Sequence, residues 1–411
     1  MSFSFSLSLQ EKKYDSIVIG AGITGLYTCY RILKSLKTNE NIEKIENIEK
    51  KILLLEASDR IGGRLMQDTL GDVNIPLGGG IIRYPKDKHL INLIENELHL
   101  KLKIIPWKQY PSFTPTLDFD DILVREMPRF LEENKELSNW PFFMFVREFF
   151  GNKESKIREF YDLWGFTDML FISTEHVFSS YGVEDVLYKN NKFYAVIENG
   201  HWDALTSALM ARLESSRRVD FNLQEKVVDI RLQEKKVVTV RKGCGGVREY
   251  FFENKCFQTI GGILKTDSLV STPWPFLRIY IRTNRDLDHE KYKKSLTTRT
   301  NLQRVIFFTP RVVMASYADG QNALYWRDVN TNPEKRHELL SYFDLEEKDV
   351  VEIKVKFWPV GVHFFTRKQL KEFNHYTKKT KNIVRVGEWV SLNNQGWVEG
   401  AIETVDEYFK E

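Results

Sequence analysis

A short apolar strand that runs into a glycine-spaced turn and then into a helix leaves a chain few architectures, and residues 14–33, YDSIVIGAGITGLYTCYRIL, have that form. Ile17 to Ile19 supply the strand, Gly20, Gly22 and Gly25 the turn, and the apolar positions that follow recur at helical spacing. A second apolar run, Ile52 to Leu55, ends on Glu56. Strand, helix and strand make a βαβ unit, which predicts an α/β fold with a Rossmann-like, doubly wound sheet. The same residues suit a dinucleotide. The helix N-terminus, with the backbone N–H groups of Ile23 and Thr24, would hold a pyrophosphate, and the Glu56 carboxylate would accept from ribose hydroxyls. That acid normally lies about 20 residues past the glycines. Here it stands 31 positions beyond Gly25, and the excess is a polar near-repeat, NENIEKIENIEKK, read as a surface insertion over residues 38–50.

A chain of 411 residues has room for two domains with sizeable cores. Its formal net charge of +3, with no long block of like charge, argues against a nucleic-acid footprint and for small-molecule chemistry. The three cysteines, Cys29, Cys244 and Cys256, are odd in number and widely spaced, so neither a disulfide framework nor a metal site is expected, and a reducing, cytoplasmic compartment follows. No apolar stretch approaches the roughly 20 residues needed to span a bilayer, and residues 1–12 read as a loose tail. Between Lys86 and Tyr194 the pattern turns to helical periods rich in Phe, Trp and Tyr. After it come a helix, HWDALTSALMARLES, and alternating strands EKVVDIRL and KVVTVRK, then strands PFLRIYIRT, RVVMASYAD and VVEIKVKFW. The expected organisation is a discontinuous cofactor domain over 13–88, 195–270 and 380–411, with a substrate domain over 89–194 and 271–379 inserted into it.

Three further segments carry a resemblance. In LLLEASDRIGGRL, Ala57 and Ser58 follow the acid, and Gly62-Gly63-Arg64 supplies paired glycines for close backbone approach and an Arg to offset phosphate charge. In IPLGGGIIRYPKDKHL, Gly78, Gly79 and Gly80 precede Ile81. In NIVRVGEWVSLNNQGWVEGAIETVDEYF, Gly387-Glu388 ends a strand, and Gly396-Trp397-Val398-Glu399-Gly400-Ala401 opens a helix. Together these segments resemble the cofactor site of the flavin-containing amine oxidases, the superfamily of monoamine, polyamine and L-amino-acid oxidases, of which this chain would be a short, divergent member. The resemblance covers roughly residues 14–100, 195–230 and 380–411. It implies non-covalent FAD, because the members that attach the flavin use a cysteine near the last motif and no cysteine follows Cys256 here. The last helix would face the N1 and O2 edge of the ring, where its dipole stabilises the negative charge of the reduced form. The glycine run at 78–80 would pass under the ring, and Val227 would meet the adenine through its backbone N–H.

On the substrate side the resemblance implies aromatic walls at Trp397 and Trp358, with Gly361 and His363 in the same stretch. Arg83, in Arg83-Tyr84-Pro85, is similar to the Arg that clamps a substrate carboxylate in amino-acid oxidases; pairing within the protein, or contact with the cofactor, is the other reading. One departure concerns Arg278, which stands where the family commonly presents a lysine bonded through water to flavin N5, since arginine cannot lose its proton. The implied reaction is hydride transfer from an amine-bearing carbon to flavin, with O2 as acceptor and imine or aldehyde and peroxide as products. An L-amino-acid oxidase using Arg83, or a flavoprotein with a structural or regulatory role and little turnover, are the alternatives; a nicotinamide dehydrogenase is hard to reconcile with the last motif.

Overall fold

The computed structural model describes residues 13–39, 51–106, 109–165, 167, 170, 172–180, 193–198, 201–243, 246–259, 272–287, 295–364 and 382–410. The tail 1–12, nearly all of the insertion at 38–50, and Cys244 lie outside the described residues.

The first βαβ unit forms as its pattern requires. Strand β1 (Lys13–Ile19) leads into helix α1 (Ile23–Asn39), and β2 (Ile52–Leu55) pairs with β1 in parallel. Strands β9 (Val219–Asn222), β10 (Glu225–Arg231), β11 (Lys236–Arg241), β12 (Val247–Gln258) and β18 (Ile383–Arg385) complete a seven-stranded sheet of order β10-β11-β12-β1-β2-β9, with β18 parallel to β12. Period-two alternation sorts its side chains. Val18, Ile52 and Leu54 enter one core with α1, α8 (His201–Ser216) and α11 (Val398–Tyr408), whereas Ile17, Ile19, Leu53 and Leu55 enter a second core with Val227, Tyr250 and Phe252. The long strand β12, whose run VREYFFENKCFQ shows no clean alternation, and the short β9 are the members of this sheet that the pattern does not announce.

The second sheet contains β7 (Gln109–Pro111), β13 (Thr272–Thr283), β14 (Ser295–Thr297), β15 (Arg304–Thr309), β16 (Val312–Asp319) and β17 (Val350–Phe364), in the order β17-β13-β16-β15-β14-β7. Leu277, Ile279 and Ile281 point to one face, into a core closed by α9 (Gly320–Trp326) and α10 (Pro333–Ser341). The other face lies over the hairpin of β3 (Gln67–Leu70) and β4 (Val73–Pro76). A third, small sheet joins β5 (Ile82–Tyr84), β8 (Phe193–Ile197) and β6 (Leu102–Pro106).

The stretch from Lys86 to Tyr194 is mainly helical: α2 (Lys88–Asn92) continued by a wider turn, then α3 (Phe119–Asp121), α4 (Met127–Glu133), α5 (Phe142–Phe149), α6 (Glu154–Trp164) and α7 (Thr174–Ser180). Phe142, Phe145, Phe160 and Trp164 are buried together there, which is why the segment is so aromatic. The helical expectation for this stretch is corrected by β6, whose β-prone run Ile104-Ile105 finds partners in β8, and by β7, which pairs in parallel with β14.

Candidate functional site

The turn between β1 and α1 is held from below by Glu56. The Ala21 N–H donates to the Glu56 carboxylate at 2.8 Å, and the Ser58 N–H and hydroxyl lie 2.8 Å from its other oxygen. The carboxylate expected to accept from ribose thus also ties the glycine turn to the end of β2. Ala57 beside it is exposed. Gly25 is where α1 touches the turn: a Cβ there would lie 1.8 Å from the Gly20 carbonyl oxygen. Gly22 differs, since a Cβ on it would meet only the Gly63 Cα, at 4.0 Å. Space beside the backbone therefore opens at Gly22, next to the N–H groups of buried Ile23 and Thr24. Gly62 and Gly63 close in from the other side. The Gly62 N–H donates to the Ala21 carbonyl at 2.8 Å, and both glycines have positive φ, 91° and 57°.

The glycine run gathers three segments at one point. A Cβ on Gly78 would lie 1.8 Å from the Arg64 carbonyl oxygen; one on Gly79 would lie 2.9 Å from Leu65 and 3.8 Å from Val398 at the start of α11; one on Gly80 would lie 3.2 Å from the Arg278 guanidinium. Ile81, half-buried, follows directly. Arg64 bridges to the C-terminal motif, donating to the Gly361 carbonyl at 2.8 Å and standing 2.6 Å from the buried Glu388 carboxylate. Gly387 (φ 134°) and Gly396 (φ 77°) turn the chain before α11, and Trp397 is the N-cap residue. Gly400, which the sequence reading did not place in the site, fits only as glycine, because a Cβ would lie 2.3 Å from the Asn394 carbonyl oxygen. Ala401 is buried in the core behind. In β10 the ladder with β11 shifts register between Val227 and Asp229, so Val227 sits at an irregularity of the sheet edge.

Arg83 takes the within-protein reading. It is buried, its Nε and another guanidinium nitrogen lie 2.8 and 2.7 Å from Asp87, a further bond of 2.8 Å goes to Asn394, and its guanidinium lies 4.1 Å from the Trp397 ring. A guanidinium so engaged has little left for a substrate carboxylate. Arg278 is buried as well; it donates to the Pro76 carbonyl at 2.7 Å and lies 4.4 Å over the Tyr317 ring. Trp358 donates through its indole N–H to the Leu77 carbonyl at 2.7 Å, so its plane is fixed beside the glycine run. His363 is opposite Pro273 in the β13–β17 ladder, and its side chain lies outside the described residues. Sequence reasoning missed Asp87 and Asn394, the partners of Arg83, although the four-residue spacing of Arg83 and Asp87 was a usable signal; it also missed Lys356, which β13–β17 pairing sets opposite Arg278.

Behind the start of α11, Glu399 accepts from the His89 and Leu90 N–H groups at 2.9 and 2.8 Å and so caps α2. Burial pushes its pKa up to about 7, against the pull of these two bonds. A carboxyl whose pKa is raised on folding contributes stability that is complete below the usual glutamate value of about 4.3 and is lost as pH rises through its folded value. The midpoint of thermal unfolding should therefore fall between about pH 5 and 8, by an amount corresponding to roughly 1–3 kcal/mol. Glu399→Gln, neutral throughout, should flatten that slope; an unchanged slope in the variant would assign it to other groups.

Cys29 and Cys256 are buried free thiols; among the described residues no metal-ligating cluster occurs, and no helix is long and apolar enough to cross a membrane. Residues 18–96 match the NAD(P)-binding Rossmann-like domain family. No curated protein matches the chain by sequence. Among solved structures, putrescine oxidase bound to putrescine superposes with a TM-score of 0.69 at 13% identity, over 97% of this chain and 98% of that one. Cyclohexylamine oxidase from Brevibacterium oxydans gives 0.68 at 16% identity with the same coverage of both chains. A candidate protoporphyrinogen oxidase from Exiguobacterium gives 0.66 at 13% identity, again over 97% and 98%. The expected α/β fold, a Rossmann-like domain joined to a mixed sheet and helices, is the fold these oxidases share.

Proposed function

We propose that this chain, which has the fold of the amine oxidases, binds FAD non-covalently and uses it to oxidise a small amine. One observation carries the reading: the turn after β1 and the loop after Glu56 meet backbone to backbone at Gly22, Gly62 and Gly63, and the glycine run lies against the Arg64 backbone, the Leu65 side chain and, at the start of α11, the Val398 side chain. The donor set fits the cofactor. Helix α1 opens beside free space at Gly22, suited to a pyrophosphate, and Glu56 stands at the end of β2 where a ribose would lie. Trp397, heading α11, and the fixed plane of Trp358 would form the walls of a substrate pocket, with residues 89–194 and 271–379 as the substrate domain.

FAD, when bound, supplies a hydride acceptor at N5; the rest is orientation and electrostatics by the protein. Over a catalytic cycle an amine, water and O2 would give an aldehyde or ketone, ammonia or the smaller amine, and hydrogen peroxide. The backbone amides at the start of α11 would stabilise negative charge on the facing edge of the cofactor. The Arg64–Glu388 pair would hold that helix and the paired-glycine loop at fixed separation. A second reading, FAD retained with little turnover, is favoured by Arg278. It stands at the position where the resemblance implies a lysine, and it remains a cation with no proton to give.

The purified protein should be yellow and should release FAD to the supernatant on heat or acid denaturation, because no cysteine follows Cys256 to hold it. Anaerobic mixing with a panel of amines and amino acids should then bleach the flavin. Protein that stays colourless after reconstitution would sink the cofactor assignment, whereas yellow protein that nothing bleaches would select the non-turnover reading.

A further inference from the structure

Arg278 and Lys356 stand directly opposite one another on β13 and β17. Directly opposed residues share a face of the sheet, with Cβ atoms about 5 Å apart, and like charges in that relation repel. A second lysine on this face shows how the fold treats such a charge: Lys354 lies 2.6 Å from the Asp68 carboxylate. Arg278 and Lys356 receive no such partner. Among the described residues no carboxylate pairs with either; the Arg278 guanidinium lies over Tyr317, and the Lys356 ammonium lies 4.4 Å above the Trp358 ring. Burial, and then the charge of nearby Arg60, hold the Lys356 pKa below the usual lysine value. A buried cation such as Arg278 is costly without a counter-ion, and the half-buried Lys356 facing it adds to that cost.

We infer that this face is an anion-binding subsite, completed by the carboxylate of the substrate. Arg278 offers a planar fork suited to bidentate contact and Lys356 a second point charge, beside the plane of Trp358 and next to Gly80. Arg83, the earlier candidate for this task, is held by Asp87 and Asn394. The inference rests on the reading of the site as an amine-oxidising one and narrows its substrate to amines that also carry a carboxylate.

The test uses benzoate, which cannot be oxidised, against benzamide, which has nearly the same shape without the charge. Titrated into the FAD-loaded protein and followed by the flavin difference spectrum, benzoate should bind about tenfold or more tighter than benzamide. Lys356→Met should lower benzoate affinity by about tenfold while leaving benzamide affinity and FAD content unchanged, and Lys356→Arg should keep most of it. Lys354→Met, on the same face but paired with Asp68, should leave benzoate affinity unchanged. Benzoate that binds no tighter than benzamide, or that is indifferent to Lys356→Met, overturns the inference. Thermal stabilisation by benzoate gives the same answer without flavin, so colourless protein would defeat the cofactor assignment and still leave the anion site decided either way.

Discussion

Alanine at position 25 will leave a chain that does not assemble its first βαβ unit, whereas alanine three residues earlier will give a folded protein that no longer holds FAD. At Gly25 the added Cβ meets the Gly20 carbonyl oxygen at 1.8 Å and its carbon at 3.0 Å. Both are backbone atoms fixed by β1 and by the Gly20 N–H bond to Leu55, so relief requires α1 to move off the sheet. Overlap of that size in a packed interior should destabilise by on the order of 3–5 kcal/mol. At Gly22 the nearest atom is 4.0 Å away and φ is not positive, so stability should change by less than about 1 kcal/mol. The methyl group would instead occupy the space in which a pyrophosphate must approach the backbone. Loss of those charge-assisted bonds should weaken FAD binding by about a hundredfold or more. Circular dichroism with flavin absorbance separates the two outcomes. A Gly22→Ala protein that keeps its yellow colour would place the phosphates elsewhere.

Two adjacent residues at the head of α11 should separate cofactor from substrate. Gly396 has φ 77°, a conformation that a β-branched residue adopts only with strain of about 1–3 kcal/mol. Gly396→Val should relax the turn, displace the helix N-terminus and release FAD. Trp397 has extended backbone, φ −110° and ψ 149°, open to any residue, and its ring is held by contact with Arg83. Trp397→Ala should therefore keep FAD and slow anaerobic flavin reduction by about a hundredfold, as expected for about 1 Å of misplacement at a substrate wall. If Trp397→Ala loses FAD as fully as Gly396→Val does, the indole packs the cofactor site, and the substrate pocket lies elsewhere.

The cofactor half of the site could be read from the chain because its chemistry is carried by backbone. Glycines at 25, 62, 63 and 78–80 are demanded by contacts a few ångströms away, Gly20 by its positive φ and Gly22 by the space it leaves for a ligand, and those demands leave marks at short, fixed spacings. The substrate half is written in side chains whose partners come from distant strands. That Arg83 turns inward to Asp87 was within reach of a four-residue spacing, but the contribution of Asn394 was not. That Lys356 faces Arg278 depends on the register of β13 against β17, and alternation along either strand alone does not set it. β12 escaped because residues 247–258 mix charged and aromatic side chains, and its burial, at Tyr250 and Phe252 and then at every residue from Cys256 to Gln258, keeps no single alternation along the strand.

The first and last described helices are locked together: the Tyr27 hydroxyl, Arg31 and the His89 ring all reach Asp406, the Tyr27 bond at 2.6 Å and the His89 contact at 2.8 Å. A contact between positions 27 and 406 closes nearly the whole chain into one loop. Loop-closure entropy grows only with the logarithm of length, so the lock weighs little on equilibrium stability, but it places the native topology at high contact order. The emerging polypeptide can build its first βαβ unit early, but the apolar face of α1, which α8 covers in part, stays incomplete until α11 arrives. Such a chain is most exposed to aggregation during synthesis, and a ligand that bridges α1 and α11 would act as a late chemical chaperone as well as a cofactor.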